Sequence, residues 1–194
     1  MAEQRRVTLT KDAPRMDIPR ENGRMRVNLT WNSTGSSPID LDLCCLWELT
    51  DGSRGCVQAL GGKFRVPRDG DDPVIALDRD ERAGGPEGEN MTIDMARAHL
   101  ISRVLVFAYI YHGVPNWAAA NGVATIHPVS GPPIEVPLDG ADPRARVCAM
   151  FMLRNTGGRL AIRREVRYFT RGHRQMDATY KWGLTWRPGI KRTP

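Results

Sequence analysis

The chain lacks any apolar run long enough to cross a bilayer as a helix. The longest, Val104 to Tyr111, has eight residues, against roughly 20 for a membrane helix. No apolar run stands behind the charges of Met1-Ala2-Glu3-Gln4-Arg5-Arg6, so no secretory leader is expected and the expected address is cytoplasmic. Cysteine is sparse: Cys44, Cys45, Cys56 and Cys148 form no Cys-x-x-Cys pair. That spacing argues against a zinc site, and without export the thiols are expected to be reduced and packed. Catalytic signatures are missing as well. There is no Gly-x-Ser-x-Gly, His-Glu-x-x-His or Gly-Lys-Ser/Thr. His99, His112, His127 and His173 are scattered without ligand spacing, and Gly61-Gly62-Lys63 has no helix behind it to cradle a phosphate. These absences point away from an enzyme.

What is present is a turn-rich chain of 194 residues with 19 glycines and 14 prolines, which favours many short elements over long helices. Met25, Val27, Leu29 and Trp31 alternate with polar residues and predict a half-buried strand. Ile39 to Trp47 starts with alternation and ends as a continuous apolar run, the pattern of a central strand covered on both faces. On it, Asp40 and Asp42 share one face, opposite Ile39, Leu41 and Leu43, and Cys44 and Cys45 point opposite ways. Asp51-Gly52 marks a hairpin returning through Cys56 to Leu60. Further strands are expected at 7–10, 74–77, 91–95, 104–111, 123–127, 134–138, 148–153 and 160–169. A loop is expected around Pro14 and Pro19, a helical turn at 97–102 and a short helix at 173–180. Arg163, Arg164, Arg167 and Arg171 should face mostly solvent. The tally fits an all-β, antiparallel two-sheet β-sandwich with one or two short helices, as a single domain over 1–194. Residues 1–24 form a basic strand and arm, and 170–194 a C-terminal helix and tail.

The stretch Asp78 to Asn90 carries five carboxylates and an amide in a loop broken by glycine and proline. Two uses suit that composition. It is either a solvated turn, neutralised by Arg79 and Arg82, or a site for a hard cation. Ca²⁺ takes six to eight oxygen ligands and tolerates irregular geometry, and clustered carboxylates repel one another without a positive partner. Asp40 and Asp42 could add ligands from the sheet end. The spacing does not match an EF-hand. Asp69-Gly70-Asp71-Asp72 is a further acidic cluster whose commoner use is a turn. The net charge is +6, concentrated in the N-terminal arm and after Arg144. Tyr168, Phe169, Tyr180, Trp182 and Trp186 interleave the C-terminal cations, which makes single-stranded nucleic acid a further candidate partner. It is the weaker reading, because Trp182 and Trp186 lie among apolar neighbours.

Several separated stretches together resemble the TerD-type tellurium-resistance family. Val7 to Pro14 resembles its opening strand. Val27 to Trp31 followed by Ile39-Asp40-Leu41-Asp42 is similar to its next strand and its paired-aspartate strand, Asp78 to Asp94 to its calcium loop, and Arg103 to Gly113 to the strand after it. Arg163 to Phe169 and Tyr180-Lys181-Trp182-Gly183 resemble the end of actinobacterial-type members. The resemblance implies a non-enzymatic β-sandwich that binds Ca²⁺ in loops at one end. It further implies a role in tellurite resistance and stress response, with other products of the same gene cluster as partners. Carried across, the ligand set is Asp40, Asp42, Asp78, Glu87 and Glu89, and the loop's own composition adds Asp80 and Asn90. The family's dense Asp-Gly-Asp-Asp-Glu run is replaced here by Gly85-Pro86-Glu87-Gly88-Glu89, which implies fewer ions or weaker affinity. A metal-free interaction scaffold is the alternative function.

Overall fold

The computed structural model describes residues 6–19, 21–32, 39–67, 72–78, 87–113, 117–140 and 142–190. Asp80 and the rest of 79–86, Asp69 to Asp71, and most of the turn after Trp31 lie outside the described residues. In chain order the strands are β1 (Val7–Thr8), β2 (Arg15–Ile18), β3 (Arg24–Thr30), β4 (Asp40–Leu49), β5 (Arg54–Val57), β6 (Arg65–Val66) and β7 (Ile75–Leu77). They continue with β8 (Glu89–Asp94), β9 (Ile101–His112), β10 (Val123–His127), β11 (Ile134–Pro137), β12 (Val147–Thr156) and β13 (Arg159–Phe169). A 3-10 turn, Met95–Leu100, leads into β9, and two short helices are α1 (Trp117–Ala120) and α2 (Gly172–Tyr180).

Two sheets face each other. The first runs β1-β11-β10-β3-β8-β7-β6 and the second β2-β13-β12-β9-β4-β5. The alternation on β3 decides its orientation: Met25, Val27, Leu29 and Trp31 are all buried between the sheets. Its neighbour β8 turns Glu89, Met91 and Ile93 the same way. Strand β4 is covered on both sides, as its continuous apolar end requires. Leu41, Leu43 and Cys45 face the interior, while Cys44 and Leu46 belong to a second apolar cluster with Phe107, Met176 and Trp182. All four cysteines are buried and free. The second cluster is a third layer that the sandwich expectation does not contain, with α2 and the chain after it lying on the outer face of the second sheet. Among the described residues, no helix is long and apolar enough to cross a membrane.

Three local expectations are corrected. The pairing is not wholly antiparallel, because β1 runs parallel to β11. Val7 N donates to Pro133 O and Leu9 N to Glu135 O, the even slanted spacing of a parallel ladder. The stretch between Pro14 and Pro19 is a strand, β2, and not a loop. It is the edge of the second sheet, where a proline at either end sacrifices no central ladder bond. Arg164 does not face solvent: its side chain is 9% exposed and its guanidinium lies 3.9 Å from the Asp139 carboxylate. Its backbone N–H donates to Pro14 O across the β2–β13 edge.

Candidate functional site

The stem of the acidic loop is built by the β7–β8 pair. Past Leu77 the pairing persists for one more step, with Asp78 N donating to Asn90 O at 3.0 Å and Asn90 N donating to Asp78 Oδ1 at 3.1 Å. Gly88 then brings the chain hard against β3. Its φ is +54°, and a Cβ there would meet Leu29 O at 2.0 Å, so only glycine fits. This close approach sets the next two side chains on opposite faces. Glu89 points into the sandwich and is 0% exposed. Asn90 points to the outer face of the first sheet, where its Oδ1 accepts from Asn28 Nδ2 at 2.9 Å and from an Arg26 guanidinium N–H at 3.0 Å.

Glu89 crosses the core to the other sheet. Its Oε2 accepts the backbone N–H of Leu43 on β4 at 2.5 Å. The need for that acceptor is geometric. The β4–β5 ladder stops at Cys45 and Val57, and after Gln58 the chain turns back on itself through the Gln58–Lys63 bridge. A carboxylate supplies a charge-assisted bond there. Next to Leu43, Asp42 is 1% exposed, and Asp40 is also buried. The Cys44 thiol is pushed well up, first by burial and then by the negative charges around it, Asp42 and Glu89 among them. Tyr109, paired in register with Asp42, is likewise raised by burial and further by Asp42, against the opposing pull of Arg146.

Of the residues expected from the sequence, Glu89 reaches from the first sheet to the Leu43 amide of β4, while Asp42, the residue before Leu43, and Asp40 are buried on that strand. Asp78 stands at the exposed loop stem, Glu87 is exposed beside Gly88, and Asn90 is turned to the other face. Asp80 lies outside the described residues. Among the described residues, no group of three or more His, Cys, Asp or Glu side chains is arranged to hold a metal ion. The donors are hard oxygens, which suit Ca²⁺ or Mg²⁺ and not a soft ion. The second acidic cluster has another use at its described end, where Asp72 pairs with Arg97 at 3.1 Å and with Arg24 at 3.6 Å. Missing from the sequence reading was the Leu43 amide as the partner of Glu89. A carboxylate in a strand whose Met91 and Ile93 share its face was the available signal.

Of the aromatic residues read as a nucleic-acid platform, Phe169 and Trp182 are buried and Tyr180 is held by a hydrogen bond. Trp182 is fully buried, donates to Trp47 O at 3.2 Å and lies under the Arg103 guanidinium, 3.8 Å from its ring. Phe169 is buried in the same cluster, and the Tyr180 hydroxyl donates to Glu165 Oε2 at 2.9 Å.

No family model matches the chain. The tellurium resistance protein TerA of an Alcaligenes species is 35% identical over 201 residues, spanning 96% of this chain. The chain belongs to the TerD-type tellurium-resistance family. It spans 58% of the length of that TerA protein. The fold agrees with two solved structures. A homologue of telluride resistance protein (TerD) from Streptomyces coelicolor A3(2) matches with a TM-score of 0.54 and 23% identity, over 77% of this chain and 91% of its own. A protein of unknown function matches with a TM-score of 0.59 and 17% identity over the same shares.

Proposed function

We propose that this TerD-type domain is a calcium-binding module of bacterial stress response and tellurite resistance that acts by binding and not by catalysis. The observation that carries the reading is the burial of Glu89 against the Leu43 amide of the opposite sheet, next along β4 to the buried Asp42 and beside the stem of the acidic loop. Burying carboxylates is costly unless their charge is compensated, and a divalent cation compensates two at once. Asp42, Asp40 and the Glu89 oxygen not held by Leu43 would contribute the inner ligands. Asp78, Asp80 and Glu87 would contribute from the loop, and Asn90, turned to the outer face, is the least suited of the set. When bound, the ion would hold the two sheets and the loop together, and the loop would present its ordered form to a partner. The role in tellurium resistance rests on the likeness to TerA, and partners from the same gene cluster are part of the proposal.

The test is a calcium titration of chelator-washed protein by calorimetry, with melting temperature as a second readout. Ca²⁺ should raise the melting temperature well beyond Mg²⁺ at equal concentration, because the ion binds the folded state alone. The D42N/E89Q double variant should not respond. A flat titration of the unaltered protein would favour the metal-free interaction scaffold instead.

A further inference from the structure

The outer face of the second sheet carries a cavity that neither the cation reading nor the core packing uses. It has a volume of about 630 Å³ and lies between β5, the β9 end and the C-terminal segment 184–189. Sites for small organic ligands occupy about 300–1,000 Å³ and combine apolar walls with a few placed polar groups. Three properties of this one define a ligand.

The first is charge. Arg54, Lys63 and Arg187 line the cavity. All three are exposed, and among the described residues none of them makes an ion pair. Among the described residues, no carboxylate lines the cavity. Asp177, nearby beneath Trp186, is occupied by three donors: Gly183 N at 2.7 Å, Leu184 N at 2.9 Å and Trp186 Nε1 at 2.8 Å. The second property is a wall of rings. His173 packs against Tyr109 at 4.6 Å and against Trp186 at 4.9 Å between centroids. Burial pushes the His173 imidazole down to about 4, so at neutral pH it adds a neutral ring and not a fourth cation. The third is an unanswered acceptor. Gln58 is 8% exposed, and its Nε2 is used by Leu60 O at 3.1 Å. Its Oε1 is buried without a hydrogen-bond partner, as is His173 Nε2. Buried polar atoms in this position call for a donor, which an apolar ligand or a bare oxyanion without a proton cannot supply.

We infer that this cavity binds a small planar anion of the nucleoside-phosphate class. The ring would stack on Trp186 and the tyrosine wall, and a hydroxyl or amino group would donate to Gln58 Oε1. The phosphate would lie among Arg54, Lys63 and Arg187. Stacking on aromatic rings favours the base without regard to its identity, and the three cations discriminate against the uncharged nucleoside. The inference does not depend on cation binding at the carboxylate site.

The experiment titrates the full chain with AMP and with ADP in the presence of EDTA, following tryptophan fluorescence and heat. Adenosine and inorganic phosphate serve as single-feature controls. AMP or ADP should saturate and bind at least tenfold tighter than either control. Lys63→Glu and Arg187→Glu change exposed side chains, so they should melt as the unaltered protein does while weakening nucleotide binding at least tenfold. Absence of saturable AMP and ADP binding overturns the inference. So does phosphate or adenosine binding as tightly as the nucleotides, or unaltered affinity in both charge variants. Because EDTA is present throughout, failure here leaves the calcium titration untouched, and the converse holds.

Discussion

Glutamate is almost never fully buried unless its charge is answered, and Glu89 is answered by the Leu43 amide at 2.5 Å. Glu89→Ala leaves that N–H buried without an acceptor. It should lower stability by about 2–3 kcal/mol, read from the denaturant midpoint, in line with hydrogen bonds to charged groups. Glu89→Gln keeps an acceptor oxygen and should lose less than half of that. Gly88→Ala is predicted to be at least as severe, about 3 kcal/mol, because it combines a positive φ with a backbone clash at Leu29 O. His173 gives a pH signature. Its folded value, about 4, lies below the ordinary 6.5, so between those values the unfolded chain binds the extra proton. Stability from this group is therefore full above about pH 6.5 and is lost as pH falls toward 4. The full loss is on the order of 3 kcal/mol. His173→Phe should flatten that part of a stability-against-pH curve, and an unchanged slope would assign the acid sensitivity elsewhere.

Helix α2 and the segment after it are held by charge as much as by apolar contact. Arg103 pairs with Glu48 at 2.7 Å, donates to the carbonyls of Tyr180 and Lys181, and covers Trp182. Lys181 ends the helix in a left-handed conformation, and Asp177 then gathers the backbone of Gly183 and Leu184. Asp177→Ala should release the segment from 183 onward while the sheets persist. Trp186 emission should shift to the red and chymotrypsin should cut faster after Trp186, with a loss of about 2–4 kcal/mol for three donors left without their charged acceptor. Survival of both readouts would mean that Trp182 alone anchors the tail. The helix itself was legible at 173–180, one residue from its observed start. Its docking on the second sheet was not, because Cys44, Leu46 and Phe107 look the same whether a helix or a second sheet covers them. Strand β2 was hidden for a related reason: Arg15-Met16-Asp17-Ile18 alternates, but four residues between prolines are too few to outweigh the loop signal, and the β13 edge supplies the pairing.

Across the whole molecule the carboxylate site joins the two sheets at one end. Trp31 Nε1 donates to Ile39 O there at 2.8 Å, linking β3 to the start of β4. A cation held between Asp42 and Glu89 would oppose separation of the sheets, and not only order a loop. Saturating Ca²⁺ should therefore raise the midpoint of global denaturant unfolding while leaving the m-value unchanged. At a hundred times the dissociation constant the gain is about 2.7 kcal/mol. A change confined to loop proteolysis, with no shift in midpoint, would limit the ion to a local role. By itself the amino-acid sequence determined the sandwich class, the inward face of β3, the two-sided burial of β4 and the acidic character of its neighbouring loop. Periodicity and composition are local properties, and these features follow from them. The tertiary structure alone decided that Glu89 spans the core to Leu43 while Asn90 turns away, that β1 runs parallel, and that a helix and tail enclose a cationic aromatic cavity. Those outcomes depend on which strands end beside which, and on where a backbone amide loses its ladder partner.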